Sequence, residues 1–356
     1  MNLSKYNTFT HNTLIISTLL VIFTCVSCKK NEVSKPPIEV IDYPKAYVVN
    51  GASNNISIIN LHDNTQTKII QLTDLGRYPH HISLSPDGTK LAVAVPEFDF
   101  TLGHSALHNA VDKKGGIVVI DTQTGNSVLK MDLPYVNFNA AFSPDGTEIW
   151  SATSSHKGDM YVFDSKTGQL KKQIPLGLSP SEVTFTKDGK YAFIALSESS
   201  YVYVLDVATK AVVETIKVDL YPSNTWAGSD GYIYVENKTS FSVNIIDPKT
   251  MSVVNYIDLN FTPSKIIYNQ LQSELWICQA GNNKIAYFQQ KNNIWTLKGS
   301  IITGDDAHAV SFSKDEKTAY VVNLKGNSVS VIDVLNHTKI KDITAGNQPN
   351  GIVLKE

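Results

Sequence analysis

Nine histidines occur in this 356-residue chain, and six of them recur in settings where an imidazole could bind a metal or a polar ligand. His80 and His81 are adjacent in YPHHISLSPDG, and His308 sits in a similar context, DDAHAVSFSKDE. His104 and His108 lie in the long segment PEFDFTLGHSALHNAVDKKGG, spaced so that one helical turn would put both on one side. His156 lies in SSHKGD. Imidazole is the ligand that borderline metals such as copper and zinc prefer, so these residues predict a copper or zinc site if the fold brings them together. His80, His104, His108 and His308 are the first candidates, with His81 and His156 in reserve. Glu97, Asp99, Asp305 and Asp306 lie close by in sequence and could accept hydrogen bonds from the rings.

Whether these residues meet depends on a repeat. An apolar residue, Ser, Pro-Asp-Gly and a short strand recur as ISLSPDGTKLAVAV from Ile82 and AAFSPDGTEIWSAT from Ala140, with degraded copies from Val183 and Val310. A second motif follows: GIVVIDTQTG, DMYVFDSKTG, YVYVLDVATK, SVNIIDPKT and SVSVIDVLN. Aligning the copies places Pro79, Asn137, Pro180, Pro222, Pro263, Ala307 and Pro349 at one position, at steps of 58, 43, 42, 41, 44 and 42 residues. A period near forty with four short alternating segments per unit is the pattern of a β-propeller. Pro-Asp-Gly supplies a fixed φ, an Asx turn and a positive-φ position. The expectation is an all-β, seven-bladed propeller over 45–356, four antiparallel strands to a blade. The chain enters mid-unit at AYVVNGASNNISIINLH and leaves with QPNGIVLKE. The C-terminal strand should therefore join blade one and remove an open sheet edge.

In such a blade the entry to strand one and the loop between strands two and three lie on one face. All six candidate histidines map there, while His62 and His337 fall on the other. Regular strand alternation would turn only one of His80 and His81 toward the channel. Blade one also stands between His308 and blade two, so the register alone does not make all six converge. The positions matching His80 are Phe138, Ser181, Ser223, Ser264, His308 and Asn350. Those matching His81 are Asn139, Glu182, Asn224, Lys265, Ala309 and Gly351. This polar ring suits a small polar ligand or short peptide, with Asn139, Glu182, Asn224 and Asn350 as candidate contacts; a water-filled channel is the alternative. The long step between the first two anchors marks an insertion in blade two, and connections of that length tend to be lids or binding loops.

Residues 1–28 read as a secretory leader, with Lys5 followed by the apolar run Thr13 to Thr24, too short for a comfortable membrane span. Ser27-Cys28 resembles a lipoprotein processing site, although Cys25 stands where Leu is usual. This predicts lipidation at Cys28, a flexible tether over 29–44, and a monomer held by its lipid at the bacterial cell envelope, either periplasmic or on the outer-membrane surface. The net charge of −2 gives no basic face for nucleic acid. Cys278, in ELWICQA, reads as a small core residue. There is no phosphate loop, HExxH, GxSxG elbow or CxxCH haem attachment, so no catalytic residue is assigned.

The segments VVNGASNNISIIN, VVNLKGNSVSVID and SPDGTKLAVAV resemble the YVTN-type β-propeller repeat of YncE-like and surface-layer proteins. The resemblance covers 46–354 and implies the same seven-bladed fold. Related propellers include lactonases and haem- or copper-bearing redox proteins, and the fold does not choose among them. A haem would need His80, His81 or His308 as axial ligand. The expected function is therefore a ligand- or protein-binding scaffold acting through the histidine-bearing face; the alternative is a copper- or zinc-binding protein or metal-dependent oxidoreductase.

Overall fold

The computed structural model describes residues 40–102 and 113–356. The expected leader at 1–28, most of the expected tether, and both His104 and His108 lie outside the described residues.

The described residues form twenty-eight strands in seven four-stranded antiparallel sheets. Short Val-, Ile- and Tyr-rich segments make these strands because β-branched and aromatic side chains suit a pleated, half-buried surface. Turn chemistry separates them. In blade two, Asp87 accepts from the Ser85 hydroxyl at 2.6 Å and the Thr89 amide at 3.0 Å, while Gly88 takes φ +69°. The degraded copy in blade seven keeps the same geometry: Asp315 accepts from Ser313, and Glu316 adopts φ +56° where the other copies have glycine.

The ring closes as expected. The last strand, Pro349–Lys355, pairs with Lys45–Asn50 as the innermost strand of blade one. Val40 to Pro44, within the stretch expected to be a tether, run along the propeller: Ile41 is buried, and its amide donates to the Gln123 carbonyl at 3.0 Å.

Seven apolar clusters hold the molecule together, each lying between two neighbouring blades. Leu91 and Val93 of blade two pack on Tyr47 and Val49 of blade one; Ala309 and Val322 of blade seven pack on Ala46 and Val48. Cys278 is fully buried in the cluster between blades six and seven. Because the apolar faces are spent between blades, the central axis is left to the ends of the inner strands. Polar side chains can point there without disturbing a core.

Candidate functional site

The inner strands are His80–Leu84, Ala141–Phe142, Pro180–Phe185, Pro222–Ala227, Pro263–Asn269, Ala307–Phe312 and Pro349–Lys355. At their entry ends they line a cavity of about 680 Å³. Every position that the repeat aligns with His80 faces this cavity. Of the positions aligned with His81, only His81, Asn224 and Lys265 do so.

His80 and His81 both reach the cavity, contrary to the alternation expected of a regular strand. The cause is a β-bulge. His80 pairs with Ala94 and Ile82 with Val93, which leaves His81 as an extra residue. His81 takes φ +48°, the one positive φ within the inner strands. That region is uncommon for a side-chain-bearing residue but relatively accessible to histidine. The closing strand supports the turn: the Asn350 carboxamide accepts from the His81 amide at 3.2 Å and donates to the Pro79 carbonyl at 3.0 Å. Gly351 leaves the room, since a Cβ there would stand 2.8 Å from the His81 Cα.

The bulge stacks the two rings, with centroids 4.1 Å apart, and turns both toward His308 across blade one. The His308 ring centroid lies 6.5 Å from that of His80 and 6.2 Å from that of His81. One nitrogen from each ring lies within 4.8 Å of the others. A tetrahedral metal with bonds of about 2.0 Å needs donors roughly 3.3 Å apart, so modest ring rotations would close the triad on an ion.

The protonation states suit this. The Phe138 carbonyl lies 3.0 Å from His80 Nδ1 and accepts its proton, which leaves Nε2 with a free lone pair. The Glu182 carboxylate meets His81 Nδ1 and selects the same tautomer. Carboxylates and carbonyls behind histidine ligands play this role in metal sites. Burial pushes the His80 pKa down to about 3, against the Phe138 hydrogen bond and with help from His308 and Lys238. Burial and then Lys238 take His308 to about 3. His81 is also held well below its ordinary value, by burial first and then by its two neighbours and Lys265 and Lys238. All three imidazoles are neutral at pH 7.

The other expected residues divide clearly. His156 is exposed and pairs with Glu198 at 2.5 Å, apart from the triad. Asn224 and Asn350 line the cavity, whereas Asn139 is tied to the Val183 backbone and Glu182 stands behind His81. Asp99 lines the cavity, but Asp306 is turned to Gly281 and Lys325. His337, on the opposite face, pairs with Glu274 at 2.8 Å and stacks on Tyr287.

Sequence reasoning missed Phe100, Trp226 and Lys238, which come from other parts of the blades. Phe100 begins the 3-10 turn Phe100–Leu102 in the blade-two insertion. It stacks on Phe138 at 4.0 Å and packs against His80 at 4.6 Å. The insertion thus places an aromatic ring over His80. Lys238 lies in the loop between strands two and three of blade five, and the same face rule that located the histidines would have found it.

Residues 37–227 match the profile of the choice-of-anchor I domain, over half of the chain. The chain belongs to that family. This choice-of-anchor I protein is also 26% identical over 160 residues to the uncharacterized protein YncE of Salmonella typhimurium. That match covers 44% of this chain and 39% of the relative, well under half its length. Solved structures share its fold at low identity. A putative 6-phosphogluconolactonase of Bacteroides fragilis aligns at TM-score 0.71 and 15% identity, over 88% of this chain and 99% of its own. The periplasmic gluconolactonase PpgL of Pseudomonas aeruginosa aligns at 0.71 and 14%, over 88% and 99%. The dihydro-heme d1 dehydrogenase NirN, in complex with DHE, aligns at 0.62 and 14%, over 90% and 77%. The choice-of-anchor I chain is a YncE-like seven-bladed β-propeller.

Proposed function

We propose that this choice-of-anchor I propeller is a binding protein of the bacterial cell envelope that holds a copper or zinc ion at its histidine-bearing mouth. His80, His81 and His308 are the ligands. The observation that carries this reading is the convergence of three neutral imidazoles, two with their proton-bearing nitrogens held by Phe138 and Glu182. Three nitrogen donors with a fourth position facing a cavity suit a zinc or copper site that exchanges ligands, rather than a closed structural one. No catalytic group is assigned. Lactone hydrolysis and tetrapyrrole redox chemistry belong to the named neighbours, and these share only the fold with this chain. The lipid anchor at Cys28 is part of the proposal and rests on the leader pattern. Radiolabelled palmitate incorporation, lost in Cys28→Ser, tests it separately.

The test of the metal reading is elemental mass spectrometry on protein purified without a histidine tag, after mild incubation with copper or zinc. One equivalent retained by the wild type and lost in His80→Ala/His308→Ala supports the reading. Retention that survives this double substitution, or no retention at all, sinks it. The second reading is a metal-free scaffold for a small polar ligand or a protein, favoured by the size of the cavity and its aromatic lining. In that case His81→Ala would weaken partner capture with no metal in the protein.

A further inference from the structure

One lysine at the cavity above the triad has no ion-pair partner among the described residues. The Lys265 ammonium lies 3.6 Å from the Trp226 ring centroid and faces the cavity. No carboxylate stands within ion-pair distance of it among the described residues. Its pKa falls to about 8, through burial that Cys278 and Glu236 only partly offset. Glu236 already has other partners. Its carboxylate pairs with Lys238 at 3.2 Å and accepts from the Trp226 indole at 3.0 Å. Lys265 is therefore a cation aimed into a pocket and held by a π face, a contact worth far less than a carboxylate. The other carboxylates of the mouth are placed elsewhere: Asp99 lines the cavity without pairing with Lys265, and Glu182 meets His81. Phe98 and Phe100 supply an apolar wall to the same cavity.

We propose that the mouth takes an aromatic carboxylate, with its carboxylate at Lys265 and its ring against the Phe98 and Phe100 wall. The carboxylate gives Lys265 the ion-pair partner that it lacks among the described residues. This proposal rests on the mouth being the binding site, but not on a metal being there.

The probe is benzoate, titrated calorimetrically into the purified protein in metal-free and zinc-loaded forms, with benzyl alcohol as the neutral counterpart. Benzoate is expected to bind both forms. Lys265→Met should weaken it roughly tenfold or more, the scale of a lost charge-assisted hydrogen bond, while Lys265→Arg largely preserves it. Benzyl alcohol should bind wild type and Lys265→Met alike. Melting curves for both variants check that the fold is intact. Unchanged benzoate affinity in Lys265→Met, benzyl alcohol binding as tightly as benzoate, or no benzoate heat at millimolar concentration in either form would each overturn the proposal. Lys265-dependent benzoate binding in a protein that retains no zinc would uphold it while removing the metal reading. Zinc retention without benzoate binding would do the reverse.

Discussion

Gly351→Ala should disable the triad from the far end of the chain while leaving the propeller folded. A Cβ at Gly351 would stand 2.8 Å from the His81 Cα and 3.3 Å from the Ile82 amide nitrogen. All of these are backbone atoms, so no side chain can simply swing aside. Ordinary contact begins at 3.4 Å, so one strand must move by about half an ångström. Overpacking of this kind costs about 1–3 kcal/mol in a well-packed interior. The same movement pulls Asn350 from the His81 amide, and with it the support for the bulge. Substitutions behind a metal ligand typically cost about 10–100-fold in affinity, which sets the expected loss. Zinc competition against a chromophoric chelator reads the affinity, and thermal melting reads the stability. Gly299→Ala is the control, since its Cβ would press on Tyr287 in blade six. It should lower the melting temperature without touching zinc. Wild-type zinc affinity in Gly351→Ala would refute the reasoning, because His81 would then be a ligand without its bulge, or no ligand at all.

Glu182→Gln removes the charge behind His81 and should weaken metal binding about tenfold, with melting nearly unchanged; isothermal competition measures it. Acid should destabilise the metal-free protein. His80 and His308 have folded pKa values of about 3, below the unfolded value of 6.5, so the unfolded chain binds more protons as pH falls through that window. Their effect is absent above about pH 6.5 and reaches about 2 kcal/mol for each residue near pH 5. Urea unfolding across this range checks it, and His308→Asn should show a shallower fall. Phe100→Ala should uncover His80, raising its pKa by NMR titration toward its solvated value and speeding zinc release to a chelator.

The repeat was readable because its turns need particular residues. Asp87, Asp145, Asp188 and Asp315 each organise a hairpin, and their spacing counts the blades. The same register located the ring of residues aligned with His80. It could not reveal that His81 also enters the cavity, because a bulge changes which way a side chain points without changing the sequence pattern. Nothing in YPHHISL distinguishes a bulged histidine from a regular one. The support for it, Asn350 and Gly351, lies at the other end of the chain. Phe100 and Trp226 were hidden for a related reason. One comes from an insertion outside the repeat and the other from further along an inner strand, where the register predicted no role.

Closure of the ring by the C-terminal strand has a consequence in time. A chain made from its N-terminus onward has His80 and His81 early and lacks Asn350 and Gly351 until every other strand of the ring has been made. The six later blade units can pair their own hairpins as they appear, but blade one stays one strand short until Pro349–Lys355 is made. The geometry that turns His81 inward is therefore among the last features the ring acquires. Competence at the mouth therefore waits on the closing strand: a chain cut short before Pro349 carries every histidine of the triad without the Asn350 and Gly351 that support the bulge.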